Sequence, residues 1–317
     1  MDYVQGRAYW LEGEELILSQ LQAFFGEGAK SFFSAISILG EEVVLILVIG
    51  FLYWCYDKKY ARYVGVNLLA VAVWAPLIKG AVMRVRPYMV HHNIKCFRAP
   101  TPSAALNNIA EQGYSFPSMH SSNSITTCLS VYLGRKNRFT LAAAIVLPLL
   151  IGISRVYLGV HYPTDVLAGW IFGLLVVGIM TFISKKVDKP EVQFIIISVL
   201  GIPGFFYVRS SDFYSCYGLM LGFFAAYLYE KRYVSFKETN EKLEIIIRMA
   251  LGMAVFALSN ELLKLPLSKE FLNSGTILSF IVRAARYTIV AFLAFGIYPM
   301  CFKKLSGFLQ KFVKKAV

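Results

Sequence analysis

Little in this sequence is suited to holding a metal or to redox work. The five cysteines, Cys55, Cys96, Cys128, Cys216 and Cys301, are odd in number, scattered, and form no C-x-x-C pair. They read as small apolar residues of helices. A Cys96–Cys216 bridge is allowed by topology but has no positive support. Only four histidines occur, and none stands with acidic residues at metal-ligand spacing. No cofactor is therefore expected. Charged residues are few, at 16%. The net charge of +13 is spread over short segments between apolar runs, with no basic stripe interleaved with aromatics. That excludes nucleic acid as a partner. The first 40 residues start acidic and lack a basic leading region, so no cleavable signal peptide is expected.

What the chain has is apolar sequence. Its 317 residues are 57% hydrophobic, with a mean hydropathy of +0.58. Runs of about 17–25 apolar residues can cross a bilayer. The spacing places such runs at 42–56, 63–83, 118–134, 139–158, 164–184, 191–208, 213–229, 243–264 and 276–302. The expected fold is all-α, a polytopic membrane bundle of about nine transmembrane helices. Residues 1–40 read as an amphipathic segment lying in the interface, 41–186 as a core bundle, 187–302 as appended helices, and 303–317 as a basic amphipathic tail. The run at 118–134 begins with Ser121, Ser122, Asn123, Ser124, Thr126 and Thr127. It must face protein or water rather than lipid.

Positive charge alternates between loops. Lys58, Lys59 and Arg62, then Arg135, Lys136 and Arg138, Lys185, Lys186 and Lys189, and Lys231, Arg232 and Lys237 fall on one side. The tail adds Lys303, Lys304, Lys311, Lys314 and Lys315. This side is expected to be cytoplasmic. A bacterial plasma membrane, with the C-terminus inside, is the expected location.

Three charged stretches lie on the opposite side. They are Lys79 with Arg86-Pro87, Pro117-Ser118-Met119-His120, and Ser154-Arg155 with His161 and Asp165. Charge near membrane depth is costly and marks function. Three strong cations without an acidic cluster suit a dianion such as phosphate. Pro117-Ser118 reads as a helix start, whose free N–H groups bind anions. His161 and Asp165 are one helical turn apart. The carboxylate can then accept from one ring nitrogen and leave the other free to attack. Any one of these residues alone would be a snorkelling cation or a helix-end ion pair. Their sharing of one face is what argues for a site.

Taken together, Lys79-x6-Arg86-Pro87, Pro117-Ser118-x-His120 and Ser154-Arg155-x5-His161-x3-Asp165 resemble the type-2 phosphatidic acid phosphatase superfamily over about residues 42–184. The resemblance implies an integral-membrane phosphatase that needs no metal. It implies that Lys79, Arg86 and Arg155 hold phosphate oxygens, helped by Ser118 and the backbone at Met119. It implies that His161 attacks phosphorus to give a phosphohistidine, that Asp165 orients His161, and that His120 protonates the leaving oxygen. The family usually has glycine where this chain has Met119. The sphingosine-phosphate phosphatases also lack it, and activity is expected to survive.

The partners implied are the bilayer and a membrane lipid phosphate. The polar loop from Tyr88 to Ser115 has few carboxamides for a sugar, which favours a lipid phosphate or diphosphate over a hexose phosphate. A non-catalytic lipid-phosphate binder or transporter is the reading from another class. Among the appended helices, Glu261 is expected to pair with Arg283 or Arg286, and Arg248 to snorkel. His91 and His92 are expected to be solvated.

Overall fold

The computed structural model describes residues 6–187 and 189–316, from residue 310 on by backbone only. Every regular element among them is helical. The principal helices are α1 (Glu14–Phe25), α2 (Lys30–Ile38), α3 (Glu42–Phe51), α4 (Lys58–Val82), α5 (Met119–Gly134) and α6 (Arg138–Tyr157). They continue with α7 (Pro163–Lys186), α8 (Pro190–Gly201), α9 (Ser211–Tyr229), α10 (Lys242–Leu262), α11 (Ile277–Phe292) and α12 (Phe302–Ala316).

Local chemistry sets the boundaries. Asp57 caps α4 by accepting from the Tyr60 N–H, and Asn137 and Thr140 form a capping box on α6. Pro163 opens α7, where its missing N–H costs nothing. Ser118 caps α5.

The helices form two bundles that share α4. In the first, α5 is the inner helix, packed on α4, α6 and α7. In the second, α9 is the inner helix, lying along α11 and against α4 and α8. Close approach uses pairs of glycines four apart. Gly169 and Gly173 of α7 lie against Ser118, Ser122 and Ile125 of the α5 segment, and Gly218 and Gly222 of α9 against the α11 backbone at Ala284 and Thr288. The main apolar core runs through the second bundle and α4. Trp54 is fully buried there and stacks on Phe295 at 5.2 Å.

All nine expected helices exist, but nine spans are not reached. Among the described residues six helices are long and apolar enough to cross a membrane, and seven if Glu27–Ile38 and Glu42–Tyr56 count as one bent span. The two left over are α5 and α9, the inner helices of the two bundles. Both are wrapped by other helices, so neither needs an apolar surface. In α5 the buried side chains are serines and threonines.

Between residues 6 and 40 several polar groups turn inward. The Arg7 N–H donates to the Met83 carbonyl at 2.7 Å, and the Val85 N–H to that of Arg7 at 3.1 Å. Gln22 donates to the carbonyls of Lys95 and Tyr157. Leu16, Phe24 and Phe32 face outward. The segment thus covers the loop between α4 and α5.

Three expectations for polar residues are corrected. Glu261 pairs with Lys264 at 2.6 Å, while Arg286 donates to Asn260. The turn of helix that carries Glu261 points its carboxylate outward, so the pair with Arg283 or Arg286 does not form. Arg248 does not snorkel. It is buried, bonded to Glu244 and to the carbonyls of Trp54 and Lys237, over the Phe302 ring. His91 is buried rather than solvated. Its Nε2 lies 3.1 Å from the Tyr162 hydroxyl and its Nδ1 3.1 Å from Glu15. The cysteines are all free. The basic tail is helical, and the side chains of Lys311, Lys314 and Lys315 lie outside those described.

Candidate active site

The three charged stretches meet. A cavity of about 620 Å³ is walled by Lys79, Arg86, Met119, His120, Arg155 and His161, together with part of the loop before α5 and residues 207–212. Lys79 comes from the last turn of α4, Arg155 from the last turn of α6, and Met119 and His120 from the first turn of α5. Arg86 precedes the single-turn helix Pro87–Val90. His161 lies in the connection between α6 and α7.

Each cation is pinned by backbone carbonyls or a hydroxyl. Lys79 Nζ donates to the Tyr114 carbonyl at 2.8 Å. Arg86 donates to the carbonyls of Gln112, Gly113 and Val160, each at 3.0 Å. Arg155 Nη1 donates to the Ser37 hydroxyl of α2 at 2.6 Å, and its Nε has no hydrogen bond among the described residues. Neutral partners orient a cation without cancelling its charge. Two buried arginines and the half-buried Lys79 therefore converge on one cavity, and among the described residues no carboxylate is bonded to any of them. That is a standing demand for an anion.

The histidines complete the arrangement. His120 Nε2 is buried without a hydrogen bond among the described residues, and His120 lines the cavity. His161 Nδ1 lies 3.4 Å from Asp165 Oδ2, longer than a full hydrogen bond, and Nε2 lies 3.4 Å from Arg86 Nη1. Burial first, then Arg86 and Arg155, hold the His161 imidazole well below the usual histidine range. It is neutral near pH 7 and keeps a lone pair for a nucleophile.

Not every site residue lines the cavity. Asp165 stands behind His161. Its Oδ2 accepts from the Tyr162 N–H at 2.8 Å and its Oδ1 from Arg84 Nη1 at 2.7 Å. The Ser118 hydroxyl is turned to Ser121, accepting from its hydroxyl at 2.9 Å, and its N–H donates to the Asp165 carbonyl at 3.0 Å. Ser118 thus ties the start of α5 to the start of α7. Among the described residues no group of three His, Cys, Asp or Glu is placed to hold a metal.

Sequence reading missed Arg84. It is nearly inaccessible, bonded on one side to Asp165 and on the other to Glu14 Oε2 at 2.5 Å, with its guanidinium 3.9 Å from the centre of the Tyr162 ring. Glu14 also accepts from the N–H and hydroxyl of Thr164. Burial alone would raise the Glu14 carboxyl; these bonds, the Leu11 N–H and Arg84 hold it below its usual value. Arg84 sits two residues before Arg86, so a second arginine beside the motif was the available signal. Nothing in the sequence connects either to Glu14, 70 residues earlier.

Comparison with known proteins gives the same picture. Residues 59–188 match the PAP2 superfamily, and residues 214–311 match the transmembrane extension of PAP2 superfamily phosphatases. The phosphatidylglycerophosphatase B of Bacillus subtilis is 34% identical over 90 residues, 26% of this chain and 44% of that protein. The undecaprenyl-diphosphatase BcrC of the same organism is 26% identical over 140 residues, 44% of this chain and 65% of that protein. The decaprenylphosphoryl-5-phosphoribose phosphatase of Mycolicibacterium smegmatis is 31% identical over 162 residues, 50% of this chain and 81% of that protein. The chain spans about half the length of several of the curated relatives it matches. No solved structure matches it. The three motifs, the helical core and a relative covered over most of its length agree, and the chain belongs to the PAP2 superfamily.

Proposed function

We propose that the protein is a metal-independent membrane phosphatase that hydrolyses a lipid phosphate or diphosphate through a phosphohistidine, on the extracytoplasmic face. The observation that carries the reading is the cavity itself. Lys79, Arg86 and Arg155 converge on it without a bonded carboxylate, beside His120 and His161. The relatives support it, being named for phosphatidylglycerophosphate, undecaprenyl diphosphate and a decaprenyl-linked phosphoribose.

In this mechanism the cations take up the equatorial phosphoryl oxygens and oppose the charge that builds there. His161 Nε2 attacks phosphorus as the bond to the leaving oxygen breaks. His120 gives that oxygen its proton. Asp165, itself held by Arg84 and the Tyr162 N–H, takes up the positive character of the imidazole through Nδ1. Its present 3.4 Å separation shortens as that charge develops. Water then cleaves the phosphorus–nitrogen bond while His120 removes its proton, and inorganic phosphate leaves.

The alternate-loop lysines support a cytoplasmic face opposite the cavity. On intact cells, a single cysteine at Asn93 should react with an impermeant thiol reagent and one at Lys186 should not. The reverse pattern would move the site to the cytoplasm. The reaction itself is tested by phosphate release from a panel of lipid and sugar phosphates. Lipid substrates should lead, and acid-labile, base-stable phosphate should be trapped on the wild-type protein. If hexose phosphate is cleaved as well as any lipid, the reading shifts to a soluble-substrate phosphatase.

A further inference from the structure

A second cavity, of about 450 Å³, lies against the first. The two share four wall residues: Pro100, Met119, His120 and Asp212. The second cavity lies between the core bundle and the appended helices. It is bounded by α3, α4 and the start of α5 on one side and by α9, α10 and α11 on the other, through Leu45, Ile49, Leu219, Phe223 and Phe256.

One face of α4 joins the two. Gly65, Leu68, Leu69 and Ala72 line the second cavity; Pro76, Lys79 and Gly80 line the first. Apart from the adjacent pairs 68/69 and 79/80 these positions are three or four apart, the spacing of a single helical stripe. From Gly65 to Lys79 the helix rises about 21 Å. Along that line the wall changes character, from apolar side chains to a phosphate-binding lysine. The polar residues of the second cavity include Glu41, Glu42, Asn123, Asp212, Ser215 and Arg283, none more than two turns into α3, α5, α9 or α11, and Asp212 also lines the first. Gly65, Phe223, Ala291 and Phe295, which line the rest, are apolar. The shape is that of an amphiphile laid along α4.

We propose that this second cavity holds the hydrocarbon tail of the substrate, an acyl or polyprenyl chain, and that Met119 is the specificity residue at the junction between tail and phosphate. The proposal rests on the phosphatase reading of the first cavity. The appended helices then have a role of their own, as the far wall of the tail site. A thioether at the position where the family has glycine is also accounted for. An apolar, flexible side chain can pack on the first methylenes of a chain and keep water from the phosphate.

The test uses n-alkyl monophosphates from butyl to dodecyl, each below its micelle concentration, and the full-length protein in detergent. Wild-type kcat/KM should rise by about two- to fourfold per methylene, as expected for transfer out of water, and then level off when the cavity is full. Two variants shorten the cavity at different depths. Ala72→Phe lies about 10 Å from Lys79 along the helix and Gly65→Leu about 21 Å. A Cβ on Gly65 meets only the Phe223 and Ile49 side chains, at 3.7–3.8 Å. The rise should level off at a shorter chain in Ala72→Phe than in Gly65→Leu, and in both before the wild type.

A readout independent of turnover covers loss of folding in either variant. A decyl phosphate with a terminal diazirine, irradiated on the wild type, should label α3, α9 or α11 at the cavity wall. Unshifted profiles in both variants overturn the proposal. So does label confined to lipid-facing residues such as Leu174 and Ile179. If no alkyl phosphate is hydrolysed at all, the phosphatase reading fails, and the site of labelling still decides whether a tail occupies this cavity.

Discussion

The two cavities differ in how their walls are made. The cation-lined cavity is assembled from helix ends and connections, with residues drawn from positions 76 to 212. The apolar cavity has helix starts only where it adjoins the first, at Glu42, Met119, His120 and Asp212, and is otherwise walled by the interiors of long helices. At a helix end, unpaired N–H and carbonyl groups are available to bind and pin polar side chains; at a helix middle only side-chain surface is on offer. The difference separates a region that needs fixed geometry from one that needs only shape. Substitutions in the first should act on the reaction, and those in the second on which substrate reacts.

The sharpest way to break this contrast is His161→Ala. It should abolish phosphate release, by about a thousandfold or more if the nucleophile is lost, while circular dichroism and detergent chromatography stay unchanged. Near wild-type turnover would remove the proposed mechanism. Arg84→Met comes next. It leaves Glu14 and Asp165 buried without their cation, and breaking such a pair costs roughly 3–5 kcal/mol. Melting temperature should fall, and the surviving folded protein should lose kcat more than KM. The double variant Glu14→Gln, Arg84→Met should recover part of the stability without the activity. Unchanged melting of the single variant would show that the buried bridge contributes nothing.

The pH dependence follows from His161, and its effect is smaller. Because the folded pKa lies well below 6.5, the acid limb of kcat/KM, which reports the free enzyme, should fall below pH 6.5. A bound dianion opposes Arg86 and Arg155, so the limb of kcat should lie at higher pH. The same shift affects stability. Below about pH 6.5 the unfolded chain gains a proton that the folded site does not. Stability should therefore decline as pH falls through that range, until the folded pKa is reached. A kcat/KM limb above 7 would contradict the neutral imidazole. The smallest expected change is from a chelator: activity should persist, since three side-chain cations serve where a metal would. Activity lost to chelator and restored by magnesium would remove the metal-independent reading.

Much of this was legible along the chain. Apolar runs located the helices, and the spacing of Lys79, Arg86, His120, Arg155, His161 and Asp165 located the site. Each of those signals is local: a helical period, a proline, a charge where charge is costly. The misreadings mix near and distant partners. His91 carries no motif, and its burial depends on Glu15 and Tyr162 arriving from either side. Arg248 looks like a snorkelling cation until Glu244 and the Trp54 carbonyl are seen around it. Glu261 and Arg286 share no bond because their side chains find nearer partners in Lys264 and Asn260. The expected count of nine spans is not confirmed either. Hydropathy measures a helix against lipid, and α5 and α9 are surrounded by other helices.

The sequence alone determined the membrane class, the helical fold and which cations and histidines to look for, because hydrophobic period and charge at depth act through neighbouring residues. Only the tertiary structure decided that Glu14 reaches Arg84, that Ser37 holds Arg155, and that the appended helices border an apolar cavity beside the cation-lined one. Those contacts join residues 70 to more than 200 positions apart. Which residues meet across such separations depends on packing, which no spacing rule along the chain encodes.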